Sequence, residues 1–139
     1  MEESAILRTL QAAVRDAVAQ SIQPTLPISY VEVKFTKPQD GKWLEIIYIP
    51  NNIVGGYWDD GKDYRGLLRL VLHWPTNGGT KGGPYGPLDL LGSIGDYFTN
   101  GLLLSGVQIY GIANLTGIVQ EEGETLYPVS IRYQSYRKG

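Results

Sequence analysis

No cysteine occurs in the 139-residue sequence. Disulfides, zinc–thiolate centres and thiol nucleophiles are therefore excluded. Histidine occurs once, so a metal site would have to rest on carboxylates with at most one imidazole. Neither sign of charge dominates, with 12 basic residues against 14 acidic ones. A nucleic-acid-binding domain is expected to be basic, and an anionic membrane surface attracts blocks of positive charge. This chain has neither. No apolar run approaches the ~20 residues of a spanning helix. Arg8, Arg15 and Asp16 interrupt the N-terminal segment where a signal peptide would need an apolar core. The expectation is a protein made and used without export, in a reducing cytosol, with no membrane partner.

What is present is an ordinary core composition, 42% hydrophobic, with 18 glycines and 8 prolines spread along the chain. The length and the lack of any repeat or linker predict one domain, 1–139. Leu7, Leu10, Val14, Val18 and Ile22 recur at helical spacing, which predicts an amphipathic helix ending before Pro24. Val31, Val33 and Phe35 alternate with Glu32, Lys34 and Thr36, the pattern of a half-buried strand. Trp43 to Ile49 reads as an interior strand, stopped by Pro50. Tyr64 to Trp74 reads as another, with Leu68, Leu70, Leu72 and Trp74 on one face. The two flank a long loop and together predict an extended β-hairpin. Leu88, Leu91, Ile94, Tyr97 and Phe98 predict a second helix ending near Asn100. A strand over 107–112 follows, then a hairpin joining 115–120 to 126–134. Pro128 has no N–H to give a ladder and predicts an edge strand there. The fold class is α+β: a mainly antiparallel or mixed sheet of about five strands, two helices packed on one face, and a long protruding β-hairpin.

Three segments bear on chemistry. His73 lies between Leu72 and Trp74 on a strand, where an ordinary sheet histidine is the commoner case than a catalytic one. Asp59, Asp60 and Asp63 suggest a calcium loop, but Gly61 and Arg65 stand where ligands are needed, so a solvated hairpin tip fits better. The glycine-rich run 77–83 sits between a strand and a helix, yet Lys81 comes too early for a phosphate loop. Pro84 and Pro87 also remove N–H donors that would cradle an anion. No catalytic residue, cofactor or metal is expected. Tyr57 and Trp58 differ from the other aromatics because they fall in a glycine-rich loop rather than on an apolar stripe. Loop aromatics of that kind are enriched in protein–protein contacts. Asn52, Ile53, Tyr57, Trp58, Asp59 and Asp60 are accordingly the candidate subunit-interface residues.

Taken in order, these segments resemble the tail terminator (tail-tube completion) proteins of long-tailed bacteriophages. The resemblance is carried by the N-terminal helix 6–22, Tyr30–Phe35, the turn and strand from Asp40 to Ile46, and the Gly55-Gly56 loop. It continues through Tyr64 to Leu70, the glycine loop, a helix ending Asp96-Tyr97-Phe98, and the closing strand Tyr127 to Tyr133. It covers nearly the whole chain, as layout and hydrophobic pattern rather than as a catalytic signature. The resemblance implies a structural virion protein whose subunits form a ring, a hexamer, at the head-proximal end of the tail. Such a ring would cap the tail tube, stop its polymerisation and present a face to the head-completion or connector protein. DNA would only pass through its lumen, and the subunit would reside in the host cytoplasm before assembly. Another head–tail joining or minor tail ring protein is the alternative, followed by a small ligand-binding domain or enzyme.

Overall fold

The computed structural model describes residues 2–51, 62–76 and 84–137. Helix α1 spans Glu2–Ala19. Its buried stripe is Ile6, Leu10, Ala13, Val14, Ala17 and Val18, each at most 3% exposed. Leu7, expected in that stripe, is only half-buried, and Ile22 is 67% exposed. The reason lies at the helix end. After Ala19 the Ser21 hydroxyl donates to the Val18 carbonyl at 2.7 Å, satisfying one of the acceptors a helix terminus leaves open. Ile22 thus falls beyond the last turn.

The strand expected over 31–35 does not form. Instead β1 is the two-residue segment Ile28–Ser29, paired parallel to β2, Trp43–Pro50. Glu32 has φ 62°, in the left-handed region, and the Val33 N–H donates to the Tyr30 carbonyl at 3.3 Å. That turn reverses the chain, so the alternating pattern has no ladder to join.

Strand β3, Lys62–Pro75, pairs antiparallel with β2 from Trp43↔His73 to Pro50↔Gly66. The long β6, Glu124–Arg137, lies on the other side of β3. Beyond β6 come β4, Gln108–Leu115, and the short β5, Val119–Glu121. The path is β1-β2-β3-β6-β4, with β5 also on β6. Among the described residues the sheet has six strands, mixed only through the β1–β2 pair, one more than expected.

Register decides which side chains share a face. Leu44, Ile46 and Tyr48 oppose Leu72, Leu70 and Leu68, which oppose Tyr127, Val129 and Ile131. These residues, the α1 stripe, and Leu90, Leu91 and Ile94 of α2 (Tyr85–Gly95) build one hydrophobic cluster, with Tyr48 packed half-buried against it. Full burial of each such aliphatic side chain stabilises by about 1.5–3 kcal/mol. Helix α2 ends earlier than the sequence suggests, yet Phe98 just past it remains buried at 1%. Pro84 and Pro87 fit its start because first-turn residues need no intrahelical acceptor.

Pro128 is a second correction: β6 is an interior strand, not an edge. Along its outer side β6 pairs with β5 up to Leu126 and with β4 from Val129 onward. Pro128 sits in the gap between them, and its carbonyl accepts the Thr116 N–H at 3.0 Å. A strand residue's N–H and C=O point the same way, so the missing donor falls where the ladder is already interrupted.

Candidate interaction surface

His73 is 8% exposed and sits on the sheet face opposite the core cluster, stacked on Trp43 with ring centroids 3.7 Å apart. Its Nδ1 lies 2.7 Å from Glu124 Oε1 and its Nε2 lies 2.9 Å from Glu45 Oε1. The three residues come from β6, β3 and β2, so the ring ties three adjacent strands together. A general base needs a ring nitrogen facing a substrate proton. Here both nitrogens already face carboxylates, an arrangement suited to holding a sheet rather than to proton transfer.

Burial raises the hydroxyl pKa of Tyr48, Tyr127 and Tyr133. Tyr48 donates to Glu3 Oε1 at 2.7 Å and stacks on Tyr133, joining α1 to the sheet. Among the described residues, no group of three or more His, Asp or Glu could hold a metal ion. No described helix is long and apolar enough to cross a membrane.

The distinctive surface feature is apolar. A groove of about 680 Å³ runs between α2 and β4, lined by Leu88, Leu91, Phe98, Ile112, Ala113 and Leu115 among others. Its outer wall continues into an exposed patch: Ile112 is 76% exposed, Leu115 41%, Ile118 47% and Val119 49%. Four large aliphatics in eight residues, all open to solvent, are not the scattered single hydrophobics of an ordinary surface. Local backbone geometry creates them. Gly111 has φ +76° beside the Arg132 guanidinium, and the β4–β6 register shifts between Tyr110 and Asn114. That bulge turns Ile112 outward while Ala113 stays against the core cluster.

Sequence reasoning missed this patch by assigning 107–112 and 115–120 to strands of the sheet, with no exposed apolar edge expected there. A signal was present. Ile112, Leu115 and Ile118 recur every three residues, with Gly111 and Gly117 among them, which fits neither face of a strand. The expected interface residues Asn52, Ile53, Tyr57, Trp58, Asp59 and Asp60 lie outside the described residues, as does the glycine run 77–83.

Comparisons with known proteins bear on the fold and on the family. A solved structure without a functional name superposes with a TM-score of 0.74 at 20% identity, covering 97% of this chain and 96% of its own. A chain from a structure titled virion of native gene transfer agent (GTA) particle superposes with a TM-score of 0.60 at 12% identity, covering 92% and 95%. At these identities the likeness is one of fold. No curated protein matches the sequence. A family profile described as phage tail terminator protein matches residues 6–133, nearly the full length, and the chain therefore belongs to the phage tail terminator family.

Proposed function

We propose that this protein assembles into a ring, a hexamer, that caps the head-proximal end of the phage tail tube, terminates its polymerisation and offers the face to which the head attaches. Membership of the tail terminator family gives the coarser part, a structural role in the phage tail. The observation that carries the finer reading is the family match over 6–133 on a chain whose described surface carries an exposed apolar edge. A subunit of a cyclic assembly needs such surfaces, because each copy must bury part of its exterior on its neighbours. The partners in this reading are further copies of the chain, the tail tube protein and the head-completion or connector protein. DNA passes through the lumen without specific contact. The β2–β3 hairpin, with Tyr57 and Trp58 in its connection, is a proposed contact to a neighbouring subunit or to the tube.

Removing the gene from the phage tests the reading. Electron micrographs are expected to show tails of uncontrolled length without heads. Tails of normal length joined to heads would overturn it, and so would antibody labelling of the protein at the tip distal to the head.

A further inference from the structure

The two opposite edges of the sheet carry complementary surfaces at the same strand end. Trp43 opens β2, His73 pairs with it near the end of β3, and Pro75 pairs with Glu124 at the start of β6. The β5–β6 turn and the segment leading into β2 are therefore neighbours along the strand direction. They are separated by three strand spacings, roughly 14 Å. On the β5 side stand the exposed Glu121 and Glu122 beside the apolar Ile112, Leu115, Ile118 and Val119. On the β2 side stand the exposed Lys34 and Lys37 and the half-exposed Lys42, beside Val33, which is 59% exposed. Glu32 and Asp40 also lie on that segment, but Asp40 Oδ1 is engaged by the Lys42 N–H at 3.1 Å.

The β2-side segment is also held in place by the fold. Phe35 packs on Trp43 with centroids 4.9 Å apart, Lys37 lies 5.9 Å above the Trp43 ring, and Lys42 lies 4.6 Å above Trp74. The Val31 N–H donates to Gln11 Oε1 of α1 at 2.9 Å. Glu32 is the only non-glycine residue with positive φ among the described residues. Such a conformation is costly and persists only where the surroundings impose it. Here it turns Val33 and Lys34 outward instead of letting β1 run on along β2.

We propose that the β4–β5 edge of one subunit seats against segment 32–42 of a second copy of this chain. The acidic turn would meet the lysines, and Val33 would enter the Ile112–Val119 patch. Such a contact joins different surfaces of identical chains, so it repeats head to tail and closes into a ring when the rotation allows. It rests on the ring reading given above and names the surfaces that would build the ring. Opposite charges across the contact would set its register and disfavour pairing of like edges.

Because the chain has no cysteine, introduced thiols report the contact directly. Phage particles would be assembled with the Val33→Cys/Val119→Cys double variant and treated with a short bismaleimide cross-linker. A second pair, Lys34→Cys/Ile118→Cys, serves should the first impair folding. The expected result is a covalent ladder of dimer, trimer and larger species, absent from each single-cysteine variant. Dimers from Val119→Cys alone would show like edges meeting and overturn the proposal. Several copies per particle with no ladder from either pair would overturn it too, while leaving the ring reading intact. A single copy per particle would overturn the ring reading itself.

Discussion

At Gly66 one added methyl group would meet backbone and a buried aromatic at once. It sits inside β3, paired with Pro50 on one side and Tyr133 on the other. A Cβ built there would stand 2.5 Å from the Ile49 carbonyl oxygen, 2.6 Å from the Tyr133 hydroxyl and 2.9 Å from Tyr133 Cε2. Two effects oppose each other in Gly66→Ala. Alanine restricts the unfolded chain and by itself would stabilise by about 0.4–1 kcal/mol. Overpacking costs about 1–3 kcal/mol, and its upper end applies because the Ile49 carbonyl belongs to a paired backbone and cannot swing away. The clash wins, leaving a net loss of about 2 kcal/mol. For a domain of this size that lowers Tm by roughly 6–10 °C. Calorimetry, with urea unfolding to check that the m-value is unchanged, reads the effect. Adding Tyr133→Phe to the Gly66→Ala variant would remove the contact to the hydroxyl but leave those to Cε2 and the Ile49 carbonyl, so the recovery should be partial. A Gly66→Ala variant melting within about 2 °C of the parent would refute the close approach of the three strands.

His73→Ala should lower stability by about 1–3 kcal/mol, since it removes two carboxylate contacts and the stack on Trp43. Glu45 and Glu124 keep partial access to water, which holds the loss below that of a fully buried pair. Particle yield at permissive temperature should be unchanged, and a lost activity without lost stability would restore a catalytic reading of His73. Ile112→Asp should shift Tm by less than about 3 °C because the side chain is 76% exposed, yet it should block assembly of finished particles. Normal particle yield would remove the patch from consideration as an interface. The stability these buried tyrosines contribute should be full below pH ~10 and decline above it, because Tyr48, Tyr127 and Tyr133 have folded-state pKa values raised by burial. Above that pH the unfolded chain releases phenolic protons that the folded chain retains, so ΔG of unfolding falls as pH rises. Denaturant melts at about pH 9 and pH 11, on either side of the ordinary tyrosine value, measure this, and equal midpoints would contradict it.

The parts of this fold legible in the sequence are those where one period governs a long segment. The α1 stripe, the apolar run of β2 and the alternation along β3 and β6 each extend over several turns or residue pairs, so most of the core could be read from spacing, although Leu7 and Ile22 fall outside it. The misses fall where a single backbone event overrides the pattern. Glu32 at positive φ cancelled the strand expected at 31–35, and the bulge near Gly111 turned Ile112, at the end of the strand expected over 107–112, out into an exposed patch. Pro128 misled in the opposite direction. A proline is compatible with an interior strand when its nitrogen faces a break between two shorter neighbours, a fact visible only once β4 and β5 are placed. The Glu45–His73–Glu124 arrangement could not be read either, because the two glutamates stand 28 and 51 residues from His73 in the chain and meet it only through sheet register.

The short β5 offers a way to separate what the fold holds from what assembly adds. It pairs with β6 through only Val119↔Leu126, Gln120↔Thr125 and Glu121↔Glu124, and all three of its residues are exposed. A short two-stranded pairing with little buried apolar surface is marginal in water. Its amides should therefore open with low free energy, while those of β3, paired on both sides, should open only with the domain. Hydrogen exchange on the free subunit is expected to show 119–121 exchanging at least ~100-fold faster than 68–72, which corresponds to about 2.7 kcal/mol of difference in opening. If this edge is covered by a second copy in the finished tail, the same amides should slow markedly in purified particles. Equal protection of the two segments in the free subunit would mean that β5 is already fixed by the fold. Fast exchange persisting in particles would mean that this edge stays open to solvent after assembly.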